Sequence, residues 1–268
     1  MNNLTKFFEE NNIKFNDANK IKTLNLSSRS LTKIPAEIGL LTQLETLDLS
    51  NNRLIKIPAE IGQLTQLRIL NLSQNVLSQI PSEIGLLTQL KTLNLYDNQL
   101  TQIPTEIGLL TQLETINLYQ NKLTQIPIEI GQLLRLQSLN LSWNKLTQIP
   151  VEMSQLLQLR ELYLSSNQLT QIPLFIIYMP NLYNFTYFGN EINDLHPAIV
   201  RWLNRNKTTQ NVYYYNTQSV HNHNVEKTTN KSIKKFITQH KFTQTKIFSL
   251  IDNLTISKEV KNILKRSE

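Results

Sequence analysis

Few side chains in this 268-residue chain could do covalent or metal chemistry, and their spacing argues against it. Cysteine is absent, so there is no thiolate nucleophile, no sulfur ligand for zinc and no disulfide. The histidines are His196, His221, His223 and His240. The pair in VHNHN has no acidic neighbour before Glu226, and a solvated loop is the simpler reading than a metal site. Glu37, Glu60, Glu83, Glu106, Glu129 and Glu152 recur every 23 residues. Paired carboxylates do acid–base work only where a pocket separates their pKa values, and a ladder spaced about 5 Å along an exposed face has none. Instead these glutamates suit bonding to turn backbone or helix N-termini. Of six glycines, Gly39, Gly62, Gly85, Gly108 and Gly131 share one position, leaving only Gly189. No phosphate-cradling loop can be built from that. These residues define no catalytic site, cofactor site or metal site.

The elements that carry them repeat with the wording LxLSxNxLTxIPxEIGxLTQLxxL. The pairs Leu24/Leu26, Leu47/Leu49, Leu70/Leu72, Leu93/Leu95, Ile116/Leu118, Leu139/Leu141 and Leu162/Leu164 keep the 23-residue period without an insertion. A fixed period of this length means a solenoid. Two leucines one residue apart point to the same side of a short strand, and stacked units lay these strands into a parallel sheet. The Ile-Pro step at Pro35, Pro58, Pro81, Pro104, Pro127, Pro150 and Pro173 ends pairing and starts a short helical or turn segment. Glycine at its one position meets a need for a turn or for tight packing. Asn52, Asn75, Asn98, Asn121, Asn144, Asn167 and Asn190 form another column. A buried corner asparagine must satisfy both ends of its amide, which predicts a ladder between neighbouring coils. The first coil has Arg29 there.

This wording resembles the leucine-rich repeat family over about residues 21–192, some eight coils. It is most similar to the Ras-group intracellular arrays and to similar bacterial arrays. The resemblance implies an α/β solenoid, a horseshoe whose concave side is a parallel sheet. It also implies protein partners on that face, with regulatory, scaffold or pathogen-effector roles. A small GTPase or a phosphatase complex is the partner class suggested by the Ras-group arrays.

Outward-facing columns of the sheet are mostly Thr, Asn and Ser. Against that background stand Tyr96, Asp97, Tyr119, Trp143, Arg160, Glu161, Tyr163 and Tyr183. Aromatic and arginine side chains supply most binding hot spots, so these eight are the candidate partner-binding residues. Tyr96, Tyr119 and Trp143 fall on consecutive coils, a span of about 10 Å at strand spacing.

A solenoid needs closed ends. Residues 1–20 are expected to cap the N-terminal end, with Leu4, Phe7, Phe8 and Ile13 on an amphipathic helix. Residues 193–206 are expected to cap the other end, with Ile199, Trp202 and Leu203 on one helical face. The remaining residues, 207–268, read as a basic, mainly helical extension. Residues 1–190 hold 14 Lys/Arg and 14 Asp/Glu, whereas 191–268 hold 13 and 6, which accounts for the whole net charge of +7. Such dispersed charge suits a solvated surface better than nucleic acid, although nucleic-acid binding or an unassigned activity in this extension is the alternative. No stretch is long and apolar enough for a membrane span. The lack of cysteine and of a secretory signal points to an intracellular, cytoplasmic protein (host cytoplasm for an effector), expected to be monomeric.

Overall fold

A computed structural model describes residues 3–10 and 20–206. Eight three-residue strands lie side by side in sequence order: β1 (Thr23–Asn25), β2 (Thr46–Asp48), β3 (Ile69–Asn71), β4 (Thr92–Asn94), β5 (Thr115–Asn117), β6 (Ser138–Asn140), β7 (Glu161–Tyr163) and β8 (Asn184–Thr186). Every pairing is parallel and offset by one repeat, Thr92↔Thr115 for instance. The sequence period and the sheet register are therefore the same number.

Each of β1 to β6 stops early for a local reason. The Asn or Asp at its third position turns its side-chain oxygen back onto the backbone N–H two residues on. Asn94 Oδ1 accepts from Tyr96 N at 3.1 Å, and Asp48 Oδ1 from Ser50 N at 2.9 Å. Such an Asx turn bends the chain out of the sheet. The next residue is left-handed in every coil, with φ between 52° and 58° at Ser28, Asn51, Gln74, Asp97, Gln120, Trp143 and Ser166, and 68° at Gly189.

The ladder asparagine follows. Asn121 Nδ2 donates to Leu95 O of the preceding coil at 2.9 Å and to Leu118 O at 3.2 Å, while its Oδ1 accepts from Leu100 N at 3.0 Å. The same set recurs at Asn75, Asn98, Asn144 and Asn167. Seven five-residue 3-10 helices then form the convex side, from Ala36–Leu40 to Leu174–Tyr178. Each is preceded by its proline, at φ between −63° and −69°.

The core between the two sides is aliphatic. In the fourth coil Leu93, Leu95, Leu100, Ile103, Ile107, Leu110 and Leu113 are all buried, each contributing about 1.5–3 kcal/mol. The glycine column sets how closely coils stack. A Cβ on Gly85 would come within 2.8 Å of Glu106 O in the next coil, so close approach rather than a positive φ selects glycine. In the last coils the position passes to Ser154 and Ile177, and the helices Val151–Gln155 and Leu174–Tyr178 pack less closely.

Helix α1 (Asn3–Glu10) sets Phe8 fully in the core at one end. At the other, α2 (Pro197–Arg205) buries Ile199, and Trp202 meets Phe185 edge-on at 5.8 Å. His196 caps α2, its Nδ1 accepting from Ala198 N at 3.2 Å. Burial first, then Arg201, pushes its imidazole below the usual pKa, consistent with a neutral acceptor ring. Residues 207–268, with the expected helices around Phe236, Ile251 and Ile263, and His221, His223 and His240, lie outside the described residues.

Candidate protein-interaction face

The concave sheet turns the first and third strand positions outward, followed by the residue just beyond the inward leucine. Its floor is an array of Thr and Asn in which most Asn Oδ1 atoms already serve the Asx turns. Those carboxamides are structural as well as outward-facing, a role their sequence column did not reveal.

At β4 and β5 the serine that closes the Asx turn elsewhere is replaced by tyrosine. Ser27, Ser50 and Ser73 donate their hydroxyls to the Asx oxygen at 2.6–2.8 Å. Tyr96 and Tyr119 keep only the backbone bond, which frees both rings, and these pack on each other with centroids 5.4 Å apart and planes tilted by 49°. Such a pair adds about 0.5–1.5 kcal/mol beyond its buried area and fixes both rings. Beside it Asp97 occupies a left-handed turn position, as does Trp143 two coils on. Trp143 is 56% exposed. Bulky side chains disfavour this backbone region, and among the described residues no ring pairs with its indole.

The other four candidates form a second group. Arg160 and the 49%-exposed Tyr183 sit just before β7 and β8, at the opposite margin of the sheet from Trp143. The three-residue strands, about 10 Å long, and the turns at their ends separate the two margins. Glu161 Oε2 accepts from Ser138 Oγ at 2.8 Å, and the Tyr163 hydroxyl accepts from Asn184 Nδ2 at 2.6 Å. Burial first, then the Glu161 carboxylate, pushes the Tyr163 phenol above its usual pKa, so it stays a neutral hydrogen-bonding group. The margin before the strands carries a charge ladder in which Glu45 bonds Lys22 at 2.7 Å and Glu114 bonds Lys91 at 3.1 Å. Sequence reasoning passed over Phe188 and Ile69, exposed by 44% and 43% in outward columns. The available signals were the size of Ile69 in a mostly Thr column and the place of Phe188 in the column of Tyr96 and Tyr119.

Tyr163 has a local consequence. It replaces the Asx residue of its coil, and Ser165 Oγ is left buried without a hydrogen-bond partner. Ser165→Ala is expected to stabilise the protein by about 1 kcal/mol, read as a raised urea midpoint, because it removes an unsatisfied hydroxyl. A lowered midpoint would contradict this account.

The glutamates of the 3-10 helices lie on the convex side, where Glu83 and Glu106 accept from Ser82 Oγ and Thr105 Oγ1 at 3.2 and 3.3 Å. At these two coils the partner is a neighbouring hydroxyl rather than turn backbone. An apolar void inside the core, lined by Leu93, Ile107 and Leu139 among others, is about 10 Å³. It has no room for a substrate. Among the described residues no group of acidic or histidine side chains could hold a metal, and no helix is long and apolar enough to cross a membrane.

A parallel solenoid presenting a side-chain surface is the class that these observations define. Five overlapping segments, residues 19–77, 42–100, 65–123, 88–146 and 111–169, match the family described as leucine rich repeat. The chain belongs to that family. No curated protein matches it in sequence. Among solved structures it is similar to a leucine-rich repeat protein of Leptospira interrogans, with 35% identity over 68% of this chain and 52% of that one and a TM-score of 0.56. It is also similar to the internalin InlF of Listeria monocytogenes, with 25% identity over 69% of this chain and 53% of that one, TM-score 0.62. A third is the leucine-rich repeat ectodomain of the plant membrane receptor kinase GASSHO1/SCHENGEN3 from Arabidopsis thaliana, with 39% identity over 63% and 21%, TM-score 0.57. The chain spans about half or less of the length of these proteins. What it shares with the internalin and the ectodomain is the repeat fold.

One expectation is corrected. The intracellular, cytoplasmic placement is overturned by the internalin and the receptor ectodomain among the matches. The physical reason is that this core is held by leucines and a carboxamide ladder. Such a core needs no disulfide in any compartment, so the lack of cysteine says nothing about location.

Proposed function

We propose that the chain is a protein-binding module that seats its partner on the concave face, with Tyr96, Tyr119 and Trp143 as anchors beside Asp97. The single observation that carries this is Trp143, an exposed indole on a left-handed residue next to a preformed tyrosine pair. A strained, exposed aromatic that no packing explains is a reason to look for a ligand. Arg160, Glu161, Tyr163 and Tyr183 form a second contact patch, which a partner spanning the width of the sheet would touch together with the first.

The likeness to Listeria and Leptospira proteins supports a bacterial protein that engages a host protein more than it supports a signalling scaffold. A small GTPase or phosphatase complex, the partner class suggested by Ras-group arrays, gains no support from these matches. Capture from host-cell surface extract with the full chain, followed by affinity measurement, tests the reading. Tyr119→Ala and Trp143→Ala are each expected to weaken binding by about 1–3 kcal/mol while leaving the unfolding midpoint nearly unchanged. Unaltered affinity in the double variant would sink this placement.

A further inference from the structure

Between each ladder asparagine and the following proline the chain runs along one flank of the solenoid. In the second coil Leu54 and Ile57 turn into the core there, while Arg53, Ile55 and Lys56 are exposed. The same three outward columns recur through the first seven coils, and every member is exposed. Across them stand five cations, Lys33, Arg53, Lys56, Lys122 and Lys145, with no carboxylate and no aromatic ring. The glutamates of the repeats lie on other faces; the convex 3-10 helices from Ala59 to Gln155 carry one each and no lysine or arginine. The neutrality of the array thus hides a face of a single sign, which focuses the field beside it.

The scaffold does not ask for these charges. The third column is glutamine in successive coils from Gln79 to Gln171, and only the first two coils put Lys33 and Lys56 there. Cations on the opposite margin have partners: Lys22 and Arg68 meet Glu45, and Lys91 meets Glu114. On the flank Lys122 donates to Gln99 Oε1 at 3.1 Å. Lys33, Arg53, Lys56 and Lys145 make no ion pair or side-chain hydrogen bond among the described residues. Ile55 and Val76 are the apolar members of the columns, single exposed aliphatics of an ordinary kind.

What the flank holds and lacks defines its ligand. The cations fall on the first, second, fifth and sixth coils, a run of about 24 Å at strand spacing, so the matching anion is a polymer. A protein interface is anchored by aromatic side chains and depleted of lysine. Single-stranded nucleic acid needs rings on which its bases stack, and duplex readout needs an element that enters a groove. A surface that lies in a bilayer inserts Trp, Phe or Leu. The flank offers none of these. Between its cations it offers rows of threonine hydroxyls and glutamine carboxamides, each both donor and acceptor, which suit a polymer rich in hydroxyls. We propose that this flank binds a linear anionic polysaccharide lying across the coils, its anionic groups on Lys33, Arg53, Lys56, Lys122 and Lys145. The concave face is a separate surface, and neither reading needs the other.

The test uses the full chain and heparin, a linear sulfated polysaccharide, as the probe. Lys33→Gln, Arg53→Gln and Lys56→Gln together install the glutamine that other coils already hold at these positions, so the unfolding midpoint is expected to stay. Heparin affinity is expected to fall about tenfold or more, and the slope of its logarithm against log salt by about two to three. Lys22→Gln, Arg68→Gln and Lys91→Gln remove the same charge from the opposite margin and are expected to cost less than about threefold. Gln79→Lys with Gln102→Lys fills the gap between the second and fifth coils and is expected to tighten binding several-fold. Tyr119→Ala and Trp143→Ala are expected to leave heparin affinity unchanged, which keeps this test apart from that of the concave face. A wild-type chain that does not bind heparin, or equal losses in the two triple variants, would overturn the proposal. So would duplex DNA of matched charge, or anionic vesicles, binding more tightly than heparin with the same sensitivity to the flank variant. Either result would assign the flank to nucleic acid or to a membrane instead.

Discussion

Asn121→Ala is expected to lower the stability of the solenoid by about 3–5 kcal/mol. The substitution deletes one carboxamide and strands several backbone groups at once. Leu100 N–H loses its 3.0 Å acceptor, and Leu95 O and Leu118 O lose a donor, all in a region closed to water. Each buried group left unpaired costs about 1–3 kcal/mol, more than the net worth of the bond it formed. Because the bonds to Leu95 O and Leu100 N cross to the preceding coil, the loss falls on the coupling between coils. A nearest-neighbour array depends on that coupling for cooperativity. Urea unfolding followed by circular dichroism should show a lower midpoint and a broadened or split transition. Gln120→Ala is the control; exposed and adjacent, it is expected within about 0.5 kcal/mol of wild type. Equal midpoints for the two variants would refute a structural role for the ladder.

The second large effect belongs to the glycine column. In Gly131→Ala the new Cβ would stand 2.5 Å from Glu152 O and 2.9 Å from its carbonyl carbon. Backbone cannot swing aside as a side chain can, so the convex side must open by a few tenths of an ångström. The cost expected for such overpacking is about 1–3 kcal/mol. The chain contains its own control, since Ser154 holds the equivalent position where the following helix packs less closely. Ser154→Ala, which adds no atom at Cβ, should leave the midpoint within about 0.5 kcal/mol of wild type. If Gly131→Ala proved equally neutral, coil spacing would not be set by this contact.

What could be read from the sequence, and what could not, follows from these two columns. A strict period fixes register, so the Leu24/Leu26 pairs predict the sheet and Asn52 to Asn190 predict the ladder. Register says less about how far apart two columns lie along the strand. Tyr183 and Trp143 were grouped by residue type, although six positions of offset place them at opposite margins of the sheet. The Asn25 to Asn140 column was read as a bland outward face because an asparagine at a strand end can both face solvent and bond its own backbone. Only geometry shows that most of these carboxamides do both, and that Tyr163 leaves Ser165 Oγ without a partner. The left-handed backbone at Trp143 had no signal at all, since glycine marks that position only at Gly189.

Every ladder bond in this chain reaches back by the same residue offset, and every strand pairs by the same step. Removing or inserting one whole 23-residue unit therefore re-forms each bond with a new but chemically identical neighbour. Array length can therefore change by whole repeat units without creating a misfit. An insertion between Trp143 and β7 would move the aromatic group and the Arg160–Tyr183 group farther apart by one strand spacing, about 4.8 Å. In this family member the repeat is a ruler as well as a scaffold, and partner choice could be retuned by length before any contact residue changes.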